Sequence, residues 1–161
     1  MWQTERSALL DFRTVELSQG PQNAHNERNA AALMEETAKA LRVALVEDDP
    51  RIQELISAEI TDEGHACICF GSAEDFLVAE GSEHFDLLLL DLMLPGMDGL
   101  ACLKQLRLKA LPKPDLRVVI VTALNDADKR REALANGAEA YVLKPDLFEQ
   151  LPILLQTRSM F

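Results

Sequence analysis

Acidic, hydroxyl and lysine residues follow four short apolar segments of this sequence, and together they could bind a metal ion and a phosphate. In chain order these residues are Glu47-Asp48-Asp49, Asp91, Thr122-Ala123 and Lys144. Adjacent carboxylates repel one another, and a hard divalent cation such as Mg²⁺ relieves that repulsion. A carboxylate beside Mg²⁺ can attack phosphorus, while a lysine and a hydroxyl stabilise the phosphoryl oxygens. The residue types therefore indicate phosphoryl chemistry on an aspartate.

The four segments bring these residues together only if they are parallel strands of one sheet. Five short apolar runs alternate with amphipathic runs, and the predicted strands are 42–46, 66–70, 86–90, 117–121 and 140–143. The strands are continuously apolar, which indicates a sheet covered by helices on both faces. Right-handed crossovers then predict an α/β fold with a doubly wound five-stranded parallel sheet. In such sheets the ligand site lies beyond the carboxyl ends of the strands.

Helix signals lie between the predicted strands. Asp49 before Pro50 predicts an N-cap, although Asp49 could instead be a metal ligand. Ser72 with Asp75 resembles a capping box for a helix over 73–80. The later helices are predicted around 100–106, over 126–135 and over 146–157.

The composition limits the class of protein. The chain has 161 residues and a formal net charge of −11, which disfavours nucleic-acid binding because phosphate backbones are repelled. Three cysteines are too few for a disulfide framework, so a cytoplasmic location is expected. No apolar run is long enough to span a bilayer, so no membrane association is expected. Cys67 and Cys69 alternate with apolar residues, which favours core thiols over a metal-binding pair.

Residues 1–40 and 41–161 have different sequence character. The acidity belongs mainly to residues 41–161, which contain all the predicted strands and form the predicted domain. Residues 1–40 are predicted to be an N-terminal extension that is partly helical or disordered. Two explanations of this extension stay open. It is either a helix that docks on the domain or a partner, or translation starts at Met34.

Four motifs carry a resemblance to a known family. They are VALVEDDP at 43–50, LLLLDLMLPGMDGL at 87–100, VVIVTAL at 118–124 and GAEAYVLKP at 137–145. Residues 42–158 resemble the receiver domain of bacterial two-component response regulators, which has a flavodoxin-like (βα)5 fold. The resemblance implies a phosphoprotein that requires Mg²⁺ and takes part in phosphorelay signal transduction.

The resemblance also implies a role for each matched residue. Asp91 matches the phosphoacceptor, which takes its phosphoryl group from a sensor histidine kinase or a phosphotransfer protein. The residues implied to hold Mg²⁺ are Glu47, Asp48, Asp91 and, through its backbone carbonyl, Met93. Those implied to bind phosphate or to switch conformation are Thr122, Ala123, Lys144 and Tyr141, although Tyr141 could also simply pack on the fifth strand. The peptide bond before Pro145 is implied to be cis.

Two apolar residues stand where this family usually tunes hydrolysis of the aspartyl phosphate. Met93 lies two residues after Asp91, and Leu124 lies two residues after Thr122. Neither side chain can orient an attacking water, so we expect slow self-dephosphorylation and no other enzymatic activity. The alternative, a haloacid-dehalogenase-like Mg²⁺-dependent phosphatase, would need a second aspartate where Met93 stands.

The expected output of the domain is contact with another protein. Only residues 158–161 follow the last predicted helix, so a single-domain regulator is expected. The resemblance implies that a downstream protein or a dimer mate binds the fourth helix, fifth strand and fifth helix, without direct nucleic-acid binding. The basic run Lys129-Arg130-Arg131 in that fourth helix is either a solvated face or an ion-pairing surface. The alternative is the receiver of a DNA-binding transcriptional regulator whose output domain is missing.

Overall fold

Five parallel strands form one sheet in a computed structural model that describes residues 39–109 and 115–156. The strands are β1 Arg42–Val46, β2 Ala66–Phe70, β3 Leu87–Leu90, β4 Arg117–Thr122 and β5 Ala140–Leu143. Their order across the sheet is β2-β1-β3-β4-β5, and every neighbouring pair is parallel. This is the strand order of flavodoxin-like folds, so the predicted architecture is confirmed.

A helix follows each strand of the described chain. The helices are α1 Pro50–Asp62, α2 Ala73–Glu80, α3 Gly99–Arg107, α4 Ala127–Ala135 and α5 Leu147–Leu154, with a 3-10 turn at Lys144–Asp146 before α5. Side-chain caps start four of them, because Asp49, Ser72, Asp98 and Asp126 each accept a hydrogen bond from a backbone N–H of the first turn. The predicted N-cap role of Asp49 is therefore confirmed.

The sheet has an apolar core on each face, which explains why its strands are continuously apolar. Successive side chains of a strand point to opposite faces. Leu88 and Leu90 of β3 belong to the cluster beneath α2 and α3, whereas Leu87 and Leu89 belong to the cluster beneath α1 and α5. All four leucines are fully buried. Each residue of β3 thus contributes to one core or the other, and the polar residues of the site follow the strand ends.

Arg117 secures the sheet edge opposite the predicted site. Its guanidinium donates to the Glu139 carboxylate and to the backbone carbonyls of Leu154 and Gln156, at distances of 2.9–3.3 Å. The two carbonyls belong to the end of α5, where the helix itself offers no donor. One side chain therefore joins β4, the residue before β5 and the end of α5.

Two of the sequence predictions concern residues outside the described ranges. Residues 1–38, which include Met34 and nearly all of the predicted extension, are among them, and so are residues 157–161. Lys39 and Ala40 are described as exposed chain before β1. No helix within 39–109 and 115–156 is long and apolar enough to cross a membrane.

Replacing Arg117 with alanine is expected to lower the free energy of unfolding by about 1–3 kcal/mol, since the charge-assisted bonds to the end of α5 are lost. Urea denaturation followed by circular dichroism measures the change. The control is Arg51→Ala, which removes an arginine whose side chain is 89% exposed and should lower the free energy of unfolding much less than Arg117→Ala. Equal losses in the two variants would contradict this account of Arg117.

Candidate functional site

The parallel register brings the carboxyl ends of β1, β3, β4 and β5 to one edge of the sheet. Val46 lies opposite Leu90, so the residues that follow, Glu47 and Asp91, are neighbours. The Asp91 N–H donates to the Val46 carbonyl at 3.1 Å. Thr122 lies opposite Leu143, which places Lys144 beside the end of β4. The edge predicted from the sequence therefore exists and carries the predicted residue types.

The Lys144 ammonium lies between two buried carboxylates. Its Nζ is 2.8 Å from Asp91 Oδ2, and it lies 2.9 and 3.2 Å from the two Glu47 carboxylate oxygens. Glu47 and Asp91 are only 2% and 4% exposed, respectively. Buried charges are stable only when they are paired, so this lysine makes it possible to keep two carboxylates inside the protein.

Asp48 adds a third carboxylate to the pair, and the three form an acidic cluster. One carboxylate oxygen each of Glu47, Asp48 and Asp91 lies within 4.8 Å of the others. Asp48 is exposed, whereas the other two are buried. Three carboxylates balanced by one ammonium leave an excess of negative charge. Hard oxygen donors with such an excess suit a divalent cation such as Mg²⁺, so the residues fit the expected metal.

The ionisation of the cluster reflects this crowding. Burial, followed by the hydrogen bond and charge of Asp91, raises the pKa of Glu47 to about 7 against the lowering effect of Lys144. Burial alone would lower the pKa of Lys144, but its bonds to Asp91 and Glu47 raise that pKa overall. Lys144 therefore stays positively charged, whereas the repulsion that remains between the carboxylates helps to raise the pKa of Glu47.

A short loop between β3 and α3 holds Asp91 from the other side. The Met93 N–H donates to Asp91 Oδ1 at 3.1 Å, and the Gly99 N–H donates to the Leu92 carbonyl at 3.0 Å. A Cβ atom on Gly99 would overlap the Asp91 carbonyl oxygen and would lie 2.8 Å from Leu92 Cα. Only glycine therefore allows the start of α3 to approach the backbone of Asp91 so closely.

Sequence reasoning missed two residues that position the site. Glu74 of α2 accepts a hydrogen bond from the Met97 N–H at 2.8 Å and so ties the loop after Asp91 to a neighbouring helix. The side-chain amide of Gln53 in α1 donates to the Glu47 carbonyl. Both bonds join separate elements, and no local motif signals either of them.

Thr122 and Tyr141 meet at the loop that follows β4. Thr122 is fully buried, and its Oγ1 accepts a hydrogen bond from the Leu124 N–H at 3.2 Å. Tyr141 is buried in the core beneath α3, and its hydroxyl donates to the Leu124 carbonyl. Burial and the nearby Asp126 carboxylate raise the pKa of Tyr141, so the phenol keeps the proton that it donates. Tyr141 thus packs into the core from its position in β5, and its switch role stays a prediction. Ala123, also predicted to bind phosphate, is exposed.

A cleft of about 520 Å³ opens beside the acidic cluster. Asp48, the exposed member of the cluster, lines it together with Met93, Leu124 and Lys129. The Met93 side chain is 60% exposed, so its apolar surface borders the cleft. The two residues predicted to tune hydrolysis therefore both lie at the mouth of the site, on different loops.

The prediction of a cis bond before Pro145 is wrong. The peptide bond between Lys144 and Pro145 is trans, as are all peptide bonds of the described residues. Pro145 lies in the first turn of the 3-10 segment Lys144–Asp146, where its missing N–H leaves no bond unmade. The Lys144 carbonyl accepts from the Leu147 N–H and closes this turn. A trans bond, the default even before proline, allows the chain to pass directly from β5 into α5.

The interpretation of Cys67 and Cys69 as core thiols agrees with the structure. Both are half-buried and pack against the apolar cluster beneath α1 and α5. Burial, followed by the neighbouring Cys69, raises the pKa of Cys67 to about 12, so its thiol stays protonated. Among the described residues, the acidic cluster is the only group of three or more His, Cys, Asp or Glu side chains close enough to hold one metal ion.

Comparison with known sequences identifies the family of the domain. The response regulator receiver domain family matches residues 43–156. The transcriptional regulatory protein PmrA of Pectobacterium parmentieri is 38% identical over 111 residues, which are 69% of this chain and 49% of PmrA. The transcriptional activator protein PfeR of Pseudomonas aeruginosa is 42% identical over 105 residues, 65% of this chain and 33% of PfeR. The chain thus spans about half or less of the length of these curated relatives.

Solved structures give the same result. A CheY-like response regulator receiver domain from Methylobacillus flagellatus superimposes with a TM-score of 0.63 at 32% identity, over 72% of this chain and 97% of that one. The response regulator TrrA from Thermotoga maritima, solved in complex with Mg²⁺-BeF, superimposes with a TM-score of 0.61 at 30% identity. That match covers 71% of this chain and 99% of TrrA.

Replacing Glu47 with glutamine is expected to stabilise the metal-free protein at about pH 8. The raised pKa means that protonated Glu47 contributes stability below its ordinary pKa of 4.5, and this stability is lost as the pH rises through about 7. The glutamine stays neutral, so its melting temperature in EDTA should exceed that of wild type at about pH 8 by a few degrees, and by less at about pH 5.

Added Mg²⁺ should reduce the advantage of Glu47→Gln, because the intact cluster binds the cation more tightly. Glu54→Gln, at an exposed residue of α1, is the matched control and should show neither effect. A Glu47→Gln protein that melts lower than wild type in EDTA at about pH 8 would refute the described origin of the pKa shift.

Proposed function

The chain belongs to the response regulator receiver domain family, and from this premise we propose that Asp91 accepts a phosphoryl group from a phosphohistidine donor. Residues 43–156 serve phosphorylation-dependent signalling of the two-component type. The observation that carries the proposal is the buried Asp91 carboxylate of the acidic cluster, whose Oδ2 lies 2.8 Å from Lys144 Nζ. An aspartate flanked by acids, one lysine and one hydroxyl suits phosphoryl transfer to the carboxylate.

In the proposed reaction, an Asp91 carboxylate oxygen bonds to phosphorus while the bond from phosphorus to the donor's imidazole nitrogen breaks. Lys144 supplies a positive charge for the phosphoryl oxygens, because its ammonium is already bonded to Asp91. The Thr122 hydroxyl accepts from the Leu124 N–H and can donate its own proton to a phosphoryl oxygen. These groups are held by the ends of three strands, so little reorganisation is needed when charge develops.

Mg²⁺ is the proposed cofactor, because TrrA, a structural relative, was solved with Mg²⁺-BeF and because the acidic cluster has the matching donor set. Glu47, Asp48, Asp91 and the backbone carbonyl of Met93 would hold the ion. When bound, it would neutralise charge on the phosphoryl oxygens and on the crowded carboxylates.

The proposal includes no catalytic turnover beyond slow loss of the phosphoryl group. Met93 and Leu124, which line the cleft, carry no group that could orient a hydrolytic water. The alternative of a haloacid-dehalogenase-like phosphatase is not favoured by the family match or by the structural relatives.

Response regulator receivers interact with histidine kinases and effector domains. For this chain we propose that partners bind the surface formed by α4, β5 and α5. Phe148 and Ile153 of α5 are 45% and 69% exposed, which supports a contact role for that helix. Arg130 of α4 is also exposed and adds a positive charge. The partner that responds to phosphorylation is then selected by apolar contact and charge.

Replacing Asp91 with asparagine is expected to abolish phosphorylation, since the amide cannot act as the nucleophile. Phosphotransfer profiling with purified histidine kinases, and labelling with acetyl phosphate, read by intact mass spectrometry, measure this. Asp98→Asn is the matched control, because it changes a carboxylate in the same loop and asparagine still caps α3. Failure of every donor to label wild type, or labelling of Asp91→Asn, would refute the proposed function.

Replacing Met93 with asparagine or Leu124 with glutamate is expected to speed loss of the phosphoryl group several-fold. Each new side chain can hydrogen-bond a water in the cleft that borders Asp48. The decay of phosphorylated protein is followed by mass spectrometry after the donor is removed. Met93→Leu, which keeps an apolar side chain, should decay like wild type. Unchanged decay in both polar variants would contradict the role of these two residues.

A further inference from the structure

Resting on the proposed function, we propose that Lys129 selects dianionic, low-molecular-weight phosphodonors of the acyl phosphate class at the cleft beside the acidic cluster. This chain should therefore distinguish donors by their charge, through a residue that is not part of the acidic cluster or its lysine.

The cleft that carries this inference has the size of a small-molecule site. Its volume is about 520 Å³, and Asp48 of the acidic cluster lies in its wall. Met93 and Leu124 contribute apolar surface to the wall of the cleft. A donor that enters the cleft therefore meets Asp48 of the acidic cluster directly, and a small acyl group could rest against the apolar wall.

Charge in the cleft opposes an anionic donor except at Lys129. The charged residues of the wall are Asp48, Asp98 and Lys129, so Lys129 is the one positive side chain there. In the described part of the chain, no carboxylate lies within ion-pair distance of its ammonium, whereas the nearby Arg131 pairs with Asp128. The Asp126 cap accepts a hydrogen bond from the Lys129 N–H and fixes this residue in the first turn of α4.

Its position and its charge allow Lys129 to attract an anionic donor to the cleft. A dianionic donor approaching an acidic cluster is repelled, and a single unpaired cation at the entrance offsets part of that repulsion. The attraction grows with the negative charge of the donor and weakens as salt screens it. Lys129 is therefore a steering residue, which acts before the bond to phosphorus forms.

Two donors that differ in charge can transfer a phosphoryl group to Asp91. With acetyl phosphate, a dianion, an Asp91 oxygen bonds to phosphorus, the bond from phosphorus to the acyl oxygen breaks, and acetate leaves. With phosphoramidate, a net monoanion, the phosphorus–nitrogen bond breaks and ammonia leaves. The same aspartyl phosphate forms in both reactions, so only the charge of the incoming donor differs.

The experiment measures initial rates of Asp91 labelling by intact mass spectrometry, with each donor, in Mg²⁺ at about 0.03 M and about 1 M ionic strength. Lys129→Gln is expected to slow labelling by acetyl phosphate about three- to tenfold at low salt. Labelling by phosphoramidate should fall less than about twofold, and both differences should vanish at high salt. Lys129→Arg should restore the wild-type rate.

Lys104→Gln is the matched control, since this exposed lysine of α3 is outside the cleft wall and should leave both rates unchanged. Circular dichroism melts confirm that the variants are folded. Unchanged labelling in Lys129→Gln, or an equal loss for both donors at both salt concentrations, would overturn the inference while leaving Asp91 as acceptor. A wild-type protein that no donor labels would instead overturn the proposed function, and this inference with it.

Discussion

The ammonium of Lys144, held between the buried carboxylates of Glu47 and Asp91, is the interaction on which the site depends. Two neighbouring carboxylates with exposures of 2% and 4% would be unstable inside a protein without a cation. Because Lys144 follows β5 and the acids follow β1 and β3, these contacts form only when the three strands are assembled in one sheet. One ammonium still cannot balance three acids, and Glu47, with its pKa raised to about 7, retains that imbalance. The metal-free site therefore keeps a repulsion between carboxylates that a bound divalent cation would relieve.

The same arrangement explains features of the fold that have no direct chemical role. Continuously apolar strands allow a core on each face, so polar groups collect at the strand ends. Gly99 lets α3 begin against the Asp91 backbone, and Glu74 holds the intervening loop from α2. Arg117 secures the far edge of the sheet by capping α5. The site is thus held by rigid elements on one side and by a short, anchored loop on the other.

The sequence predicted the strands and the identity of the site residues well, because both are local signals. The predictions differ from the structure at the starts of elements and at contacts between residues that are far apart in the sequence. Strand β3 begins at Leu87, one residue after the predicted start, although the Asp86 backbone still bonds to Arg42 and Arg117. Helix α5 begins at Leu147, after a 3-10 turn that contains the trans Lys144–Pro145 bond. Glu74 is a further case, since its partner lies 23 residues away and no spacing rule connects them.

Helix α4 is the element whose position is least fixed by packing. It buries one residue, Ala133, whereas α1 buries two, α2 three, α3 five and α5 three. Polar contacts therefore fix much of the position of α4. The Tyr141 hydroxyl holds the Leu124 carbonyl just before α4, and the Arg107 guanidinium holds the carbonyls that follow the helix. Such bonds contribute about 1 kcal/mol each, so they can be exchanged at small cost.

The loop before α4 is also bonded to Thr122, whose Oγ1 accepts from the Leu124 N–H. Leu124 therefore links the hydroxyl at the site to the tyrosine of β5 through its own backbone N–H and carbonyl. If Thr122 turned toward a phosphoryl group, the bond to the Leu124 N–H would be lost, and the bond to Tyr141 would be the next to change. On the proposed function, a charge gained at Asp91 would in this way reach the start of α4 through Thr122, Leu124 and Tyr141. The two apolar cores need not change, and a switch in a stable fold requires such a local change.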